Sequence, residues 1–477
     1  DIHVICRDAI QSQLYNSITD CPHREKLGWL DVPNEMYNSL VYNYDMENFF
    51  KKVVQDCFDA QYSNGRVPST VPHFMSVYDD DPNWGGAAIL VPYRNWKTYG
   101  DMTTMTKFYP QMKKLMDYYT SKTVNHIMPG RNYSVLSDWG QETAGVNPMV
   151  PGEFTITTTY YYMLNAMAEI ASFLGKDVDA KGFLTQAQNT KKAFNERFYK
   201  DGAYGYGQQS EFAMPLYYGL VDQENEELVA AKLAERVKKD NYKIKTGEIG
   251  LKPLFMSLAK YGYNDIVYQM ANQTDCPSYG YWVKQGYTTT PEYWDVGAFS
   301  QNHCMMDHIE EWFFSQLGGI RNDGNGFDIV RIEPWIPEDM NHLDVTTRSI
   351  YGNIRCHYER GVDNEMNYTF EIPANSQANI VLPCLNHQSV FENGKDVKNG
   401  EKGVVSVEYK DGKAYLKMGS GNYTLQIKKK EATGIQEVNI SRARLNDVYY
   451  DLEGRNHGKV RPSQKGIFIW NQKKVVL

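Results

Sequence analysis

A helical toroid followed by an antiparallel β-sandwich is the architecture this sequence predicts. Three observations carry it. Over residues 1–322 apolar residues recur at helical spacing. The helical runs are separated by long loops rich in Gly, Pro, Asn, Tyr and Trp. Beyond residue 322 the apolar period shortens to two, the signature of half-buried strands. At 477 residues, 42% hydrophobic and 23% charged, the chain has the balance of a globular protein and is too long for one small domain.

The elements follow in order. An amphipathic stretch opens the chain at 3–15, and further helices are expected at about 45–62 and 101–122. The run 153–174 carries Tyr161, Leu164, Ala168, Ala171 and Leu174 at helical spacing, and Gly175 stops it. Residues 178–198 repeat the pattern through Phe183, Ala187, Ala193 and Phe194. Helices at 225–239, 249–260 and 303–317 come next, the last with Met305, Ile309, Trp312, Phe313 and Leu317 on its buried side. About a dozen helices over this region leave ~27 residues for each helix and loop, an ordinary spacing. The loops at 67–84 and 132–151 are the aromatic ones, so a site is expected on the loop face. After residue 322, Tyr368, Phe370 and Ile372 alternate with polar neighbours, as do Ala378, Ile380 and Leu382. Asp411-Gly412 and Asn393-Gly394 are hairpin turns. The chain thus divides into helical 1–322, a sandwich at 323–429, and a charged stretch plus short module at 430–477 with strand-like runs at 466–470 and 474–477.

Composition excludes several functions. A net charge of -8 argues against a nucleic-acid partner, whose footprint would be basic. No run reaches the ~18 apolar residues of a membrane helix, so no membrane span is expected. Seven scattered cysteines without a CxxC pair read as neither a disulfide framework nor a zinc site. With Asp1 first and no leader-like segment, the sequence is expected to be a fragment or a processed chain. The 36 tyrosines, against 19 Phe and 9 Trp, suit a carbohydrate partner, because a ring with a polar edge fits apolar C–H faces and hydroxyl rims. Tyrosine packing at the margins of a large core is the plain alternative.

The densest chemistry lies at Asp20-Cys21-Pro22-His23-Arg24-Glu25-Lys26-Leu27-Gly28-Trp29-Leu30-Asp31. Pro22 and Gly28 break any helix, so these side chains converge. Arg24 is expected to fix Asp20 through a bidentate bond, leaving Glu25, desolvated against Trp29, with a raised pKa suited to proton donation. A capped helix end with surface ion pairs is the alternative. A second cluster runs from Gly286 to Asp295 and on to Asn302-His303; there Glu292 sits among Pro291, Tyr293 and Trp294, where an idle carboxylate is costly. His303 could bond a ligand hydroxyl, although a lone His is more often structural. Ser137-Asp138-Trp139 and Asp81-Pro82-Asn83-Trp84 each pair a carboxylate with a Trp in a loop, as a sugar pocket would. There is no HExxH, no helical His pair of metal-ligand spacing, no Walker loop and no G-x-S-x-G elbow, so neither metal nor cofactor is expected.

The run from Asp20 to Trp29 closely resembles the signature of bacterial α-L-rhamnosidases, the inverting glycoside hydrolases of family 78. The resemblance continues in order through Trp84-Gly85-Gly86-Ala87, Ser137-Asp138-Trp139, Tyr160-Tyr161-Tyr162, Thr246-Gly247-Glu248-Ile249-Gly250, Pro277 to Tyr281, Thr289 to Asp295, Asn302-His303 and Leu317 to Ile320. It implies an (α/α)6 barrel followed by a β-sandwich. It also implies exo-acting removal of terminal rhamnose, with Glu25 as general acid and Glu292 as general base. Asp20, Arg24, Trp29, Asp31, Trp84, Asp138, Trp139, Tyr161, Trp294 and His303 become candidate substrate-binding residues. Where many members carry a carboxylate three residues after the motif's Trp, this chain has Val32, with Asp31 one position earlier, and Pro291 stands where a Trp is frequent. Family members usually carry β-domains ahead of the barrel. The terminal segment resembles a short module of Bacteroidota envelope and secreted proteins, implying a periplasmic or cell-surface setting. Two other functions fit the same residues: another glycosidase on this toroid, or a carbohydrate-binding protein that lost turnover. The second has no use for both Glu25 and Glu292.

Overall fold

The computed structural model describes residues 1–74, 78–130, 135–140, 150–295, 297, 299–362, 365–429, 448–458, 462–463, 465–470 and 473–476. Its helices form two concentric rings, and burial separates them. Outer helices are Ile2–Gln13, Glu47–Asp59, Thr103–Lys122, Asp177–Phe198, Glu226–Lys239 and Asn264–Asn272. They are amphipathic: Asp177–Phe198 buries one stripe, Ala180, Phe183, Ala187, Thr190 and Phe194. The inner ring runs through Asp31–Glu35 with Tyr37–Asn43, then Ala87–Tyr99, Gly152–Phe173, Gln209–Tyr218, Glu248–Lys260 and Ile309–Trp312. Each inner helix touches the next, and the last returns to Tyr37–Asn43, which closes an (α/α)6 barrel.

Inner helices are buried on nearly every side. Ala87 to Pro92 are six consecutive buried residues, and Gln209 to Leu216 are eight. Tyr37–Asn43, Ala87–Tyr99 and Gln209–Tyr218 therefore carry no clean apolar period and escape the sequence reading. The expected helix at 303–317 is broken: a 3-10 turn at Cys304–Met306, a short α-helix at Ile309–Trp312, then a π turn at Phe313–Leu317. Side chains fasten the end of the ring to its start. Gln13 Nε2 and Ser12 Oγ both donate to Asn302 Oδ1 at 2.9 Å, Asn38 donates to Glu311 at 2.7 Å, and His3 Nδ1 lies 2.8 Å from Glu310.

Strands β1 (Tyr199–Lys200) and β2 (Ala203–Tyr204) make a small hairpin over Asp201-Gly202, both at positive φ. The sandwich begins at Ile320. It comprises β3 (Ile320–Asn322), β4 (Ile329–Ile332), β5 (His342–Ser349), β6 (Gly352–Arg360), β7 (Met366–Ile372), β8 (Gln377–Pro383), β9 (Gln388–Glu392), β10 (Lys395–Asp396), β11 (Val404–Lys410), β12 (Lys413–Met418) and β13 (Gly421–Lys429). One sheet has the order β10-β9-β13-β7-β6-β5 and the other β11-β12-β8-β4-β3; β4 and β8 pair in parallel, while β5–β6, β6–β7, β7–β13, β9–β10, β11–β12, β8–β12 and β3–β4 pair antiparallel. Val330, Ile380 and Leu416 of one sheet share a core with Ile354, Tyr368, Phe370 and Leu425 of the other. Asn393-Gly394 and Asp411-Gly412 turn β9 into β10 and β11 into β12 at positive φ, as the hairpin signal requires.

Residues 429–477 cluster as a separate compact unit. In it β14 (Tyr449–Asp451), β15 (Ile467–Trp470) and β16 (Lys473–Val476) form an antiparallel sheet, with Tyr449 stacked on Trp470. The charged stretch from Lys430 lies outside the described residues.

Candidate active site

Three loops, the segment 78–84 and the first turns of two inner helices enclose a pocket of about 200 Å³. The first loop, at 20–29, is tied to itself through Asp20. Its Oδ1 accepts from the Leu27 N–H at 3.0 Å and its Oδ2 from the Cys21 thiol at 2.8 Å. Burial pushes the thiol up to about 11, so it stays a neutral donor. Burial also raises Asp20. Arg24 is not the partner expected for Asp20; its guanidinium lies over the Phe299 ring at 5.2 Å. Glu25 is exposed, so the expected desolvation against Trp29 is not found. The indole N–H of Trp29 instead donates to Glu25 Oε2 at 2.8 Å, which orients the carboxylate. A Cβ on Gly28 would stand 2.1 Å from the Val71 carbonyl oxygen, so only glycine lets Trp29 pair across to Thr70.

The second loop, at 135–140, is latched from both sides. Asp81 Oδ2 accepts from Leu136 N at 2.9 Å and Ser137 N at 3.1 Å. Asp138 accepts from Gly250 N at 2.8 Å and Ser210 Oγ at 2.5 Å, and Trp139 O accepts from Glu248 N at 2.8 Å. Trp139 and Trp84 are thereby presented as walls. The third loop, at 290–303, is pinned by Glu292 N to Ser300 O at 3.0 Å and His303 N to Thr290 O at 2.7 Å. Burial raises the Glu292 carboxyl; the Trp139 indole, which donates to it, opposes that rise, as does Arg24, while Glu25 and Asp20 add to it. Burial pushes His303 down to about 3, so the ring is neutral. Its Nδ1 accepts from Met305 N, which leaves the proton on Nε2 as a donor.

Asp20, Arg24, Glu25, Trp29, Asp31, Trp84, Trp139, Glu292 and His303 all line this pocket. Asp138, Tyr161 and Trp294, expected there from the sequence, do not. The Asp138 carboxylate is occupied as a latch; Tyr161 directs its hydroxyl toward the Gly219 carbonyl; Trp294 is fully buried and stacks on Trp282 at 4.3 Å. In each Asp-Trp loop only the Trp reaches the pocket, because the paired Asp is turned back to hold the loop. The sequence reading missed Tyr78, Leu136, Met305 and Glu248 in the wall. Glu248 had a signal: Gly247 and Gly250 bracket it, and a Cβ on Gly247 would meet Trp139 O at 2.1 Å. Among the described residues no group of three His, Cys, Asp or Glu side chains is placed to hold a metal. A larger cavity of about 770 Å³, lined by Ile2, Phe313, Phe314, Leu317 and Leu343, lies where barrel and sandwich meet and holds no acid pair of this kind.

A closed double ring of helices whose mouth gathers three glutamates and three indoles defines the class of six-hairpin glycosidases. Within that class the chain belongs to the bacterial α-L-rhamnosidase six-hairpin glycosidase family, whose domain model matches residues 1–317, and the bacterial α-L-rhamnosidase C-terminal domain matches 319–396. An α-L-rhamnosidase of Formosa agariphila is 27% identical over 90% of this chain and 47% of its own length. The solved α-L-rhamnosidase of Dictyoglumus thermophilum superposes with a TM-score of 0.83 at 27% identity, covering 90% of this chain and 49% of its own. That of Streptomyces avermitilis, solved with L-rhamnose, has a TM-score of 0.81 at 22% identity over 90% of this chain and 41% of its own, a likeness of fold. The chain spans about half the length of the curated relatives it matches.

Proposed function

We propose that the chain is the catalytic part of an inverting, exo-acting α-L-rhamnosidase that releases terminal rhamnose from plant polysaccharides or glycosides. The observation that carries this reading is the meeting of Glu25 and Glu292, 267 positions apart, in one pocket with Trp29, Trp84 and Trp139. Glu25, oriented by Trp29, protonates the leaving oxygen. Glu292, aligned by Trp139, takes a proton from the water that attacks the opposite face of the sugar. His303 offers Nε2–H to a hydroxyl, and the indoles meet C–H faces and the 6-methyl group. A pocket below the ~300–1,000 Å³ of clefts for drug-sized ligands suits one terminal sugar ring rather than a chain. We propose a periplasmic or cell-surface setting, a reading supported by the terminal segment's resemblance alone; fractionation of expressing cells checks it.

Proton NMR during hydrolysis of an aryl α-L-rhamnoside tests the mechanism. β-L-rhamnose is expected as the first product, and α-rhamnose overturns inversion. Glu25→Gln and Glu292→Gln are each expected to lower kcat by about 10²–10⁴-fold, the usual contribution of a general acid or base. An activated leaving group should partly spare Glu25→Gln but not Glu292→Gln.

A further inference from the structure

The pocket has room for one sugar ring, so the group that ring is attached to lies outside it. That group sits on the side of the carboxyl that protonates the leaving oxygen. This side is open: His23, Arg24, Glu25 and Lys26 are all exposed, so the first loop meets water where the proposed acid stands. Of these four, Arg24 and Glu25 also line the pocket.

A ring of the third loop holds Arg24. Its guanidinium lies over Phe299 at 5.2 Å, and among the described residues it makes no hydrogen bond or ion pair. The contact joins the loop that carries Glu25 to the loop that carries Glu292, at the outer edge of the pocket. Phe299 is still 67% exposed, so Arg24 covers one face of the ring and the other face is open. A phenylalanine exposed by itself needs no explanation, but this one is fixed to a pocket-lining side chain next to the acid. Its chemistry also differs from that of the pocket walls. Trp29, Trp84 and Trp139 are indoles with an N–H edge, whereas Phe299 has no polar edge. The hydroxyl rim of a second sugar finds no partner on such a ring. An aromatic group does, and stacking adds to what burial alone gives.

Resting on the rhamnosidase reading above, we propose that the open face of Phe299, backed by Arg24, is the subsite for the leaving group and takes an aromatic aglycone. The preferred substrates are then rhamnosides of aromatic alcohols and phenols rather than polysaccharides. Phe299 is a specificity-determining residue: it meets the leaving group and takes no part in proton transfer. Arg24 serves the subsite by holding the ring at the pocket mouth.

Steady-state kinetics test this on the wild-type chain, Phe299→Ala and Phe299→Leu with three α-L-rhamnosides: benzyl, cyclohexylmethyl, and the disaccharide with rhamnose on the primary hydroxyl of glucose. All three leaving groups are primary alcohols, so the demand on the acid is alike and the ratios report the aglycone's ring. The same compounds as competitors of aryl rhamnoside hydrolysis give those ratios as inhibition constants. In the wild type the benzyl compound should exceed both others by about three- to tenfold in kcat/KM, the worth of an aromatic contact. In both variants that advantage should fall below about twofold, since leucine keeps apolar bulk but offers no ring. Thermal melts report folding; if one variant fails to fold the other decides, and loss of folding in both makes Phe299 structural and overturns the subsite. Equal values for the benzyl and cyclohexylmethyl compounds in the wild type overturn it too, as does a benzyl advantage that persists in a folded variant. A preference for the disaccharide overturns the aromatic occupant. Wild-type protein that hydrolyses none of these and no activated aryl rhamnoside fails earlier: it overturns the rhamnosidase reading and, with it, this one.

Discussion

As the proposed base Glu292 has to be ionised, yet its surroundings favour the proton. Burial and the charges of Glu25 and Asp20 raise it, and the Trp139 N–H is one of the contacts pulling the other way. The acid limb of kcat/KM should therefore lie above the pH of an ordinary glutamate, with activity falling as pH drops through the raised value. Trp139→Phe keeps a ring in the wall and deletes the donor. It should move that limb to higher pH by about one unit, the equivalent of a hydrogen bond to a charged group. A kcat/KM profile between pH 4 and 8 measures it, and an unmoved limb would detach Trp139 from the base. Residues of this kind were partly legible in the sequence. The 20–31 run announced itself by density of charge, and Glu292 by an apolar setting that burial bears out. Desolvation of Glu25 was a wrong inference, since a Trp four residues away can meet a carboxylate through its N–H as readily as through its ring face. Glu248 gave no cluster to notice because its neighbour in the pocket wall, Asp31, is 217 positions away.

Outer helices were more readable than inner ones, although the inner Gly152–Phe173 and Glu248–Lys260 were expected at 153–174 and 249–260 and the outer Asn264–Asn272 was not. A helix with a wet side must write its dry side as a stripe, whereas Gln209–Tyr218, dry nearly all round, writes nothing periodic. Where an inner helix meets a loop, the signal is glycine. Gly247 has an ordinary negative φ, so the requirement there is space: its Cβ would lie 2.1 Å from Trp139 O and 2.4 Å from Asp138 O, both backbone atoms. Gly247→Ala is expected to cost about 1–3 kcal/mol by overpacking and to raise KM by displacing the Trp139 loop. Gly182→Ala is the control. Gly182 lies within Asp177–Phe198 with nothing inside 4 Å of its Cβ, so the same change should add about 0.5–1 kcal/mol and leave kinetics alone. Chemical denaturation of both variants, read beside KM, separates the two effects.

Across the whole molecule, the change of period near residue 322 exposed the succession of helices and strands, because a twofold and a 3.6-fold repeat put apolar residues at incompatible intervals. Ring closure was not legible from spacing; it rests on contacts such as Gln13 to Asn302 that no local pattern encodes. Among the described residues the pocket is lined by residues between 20 and 305, and β13 ends at Lys429. A chain ended at Glu431 should therefore keep its melting temperature and its kcat/KM on a small aryl rhamnoside, and a drop in either would make the tail part of the folded body. The bonds that join the two ends of the ring also set a clock. A ribosome releases Glu25 long before Glu292, and the helix that seals the circle is among the last of the barrel to emerge. Between those two moments the nascent chain holds Glu25 without Glu292, and the pocket is assembled only when the circle is complete.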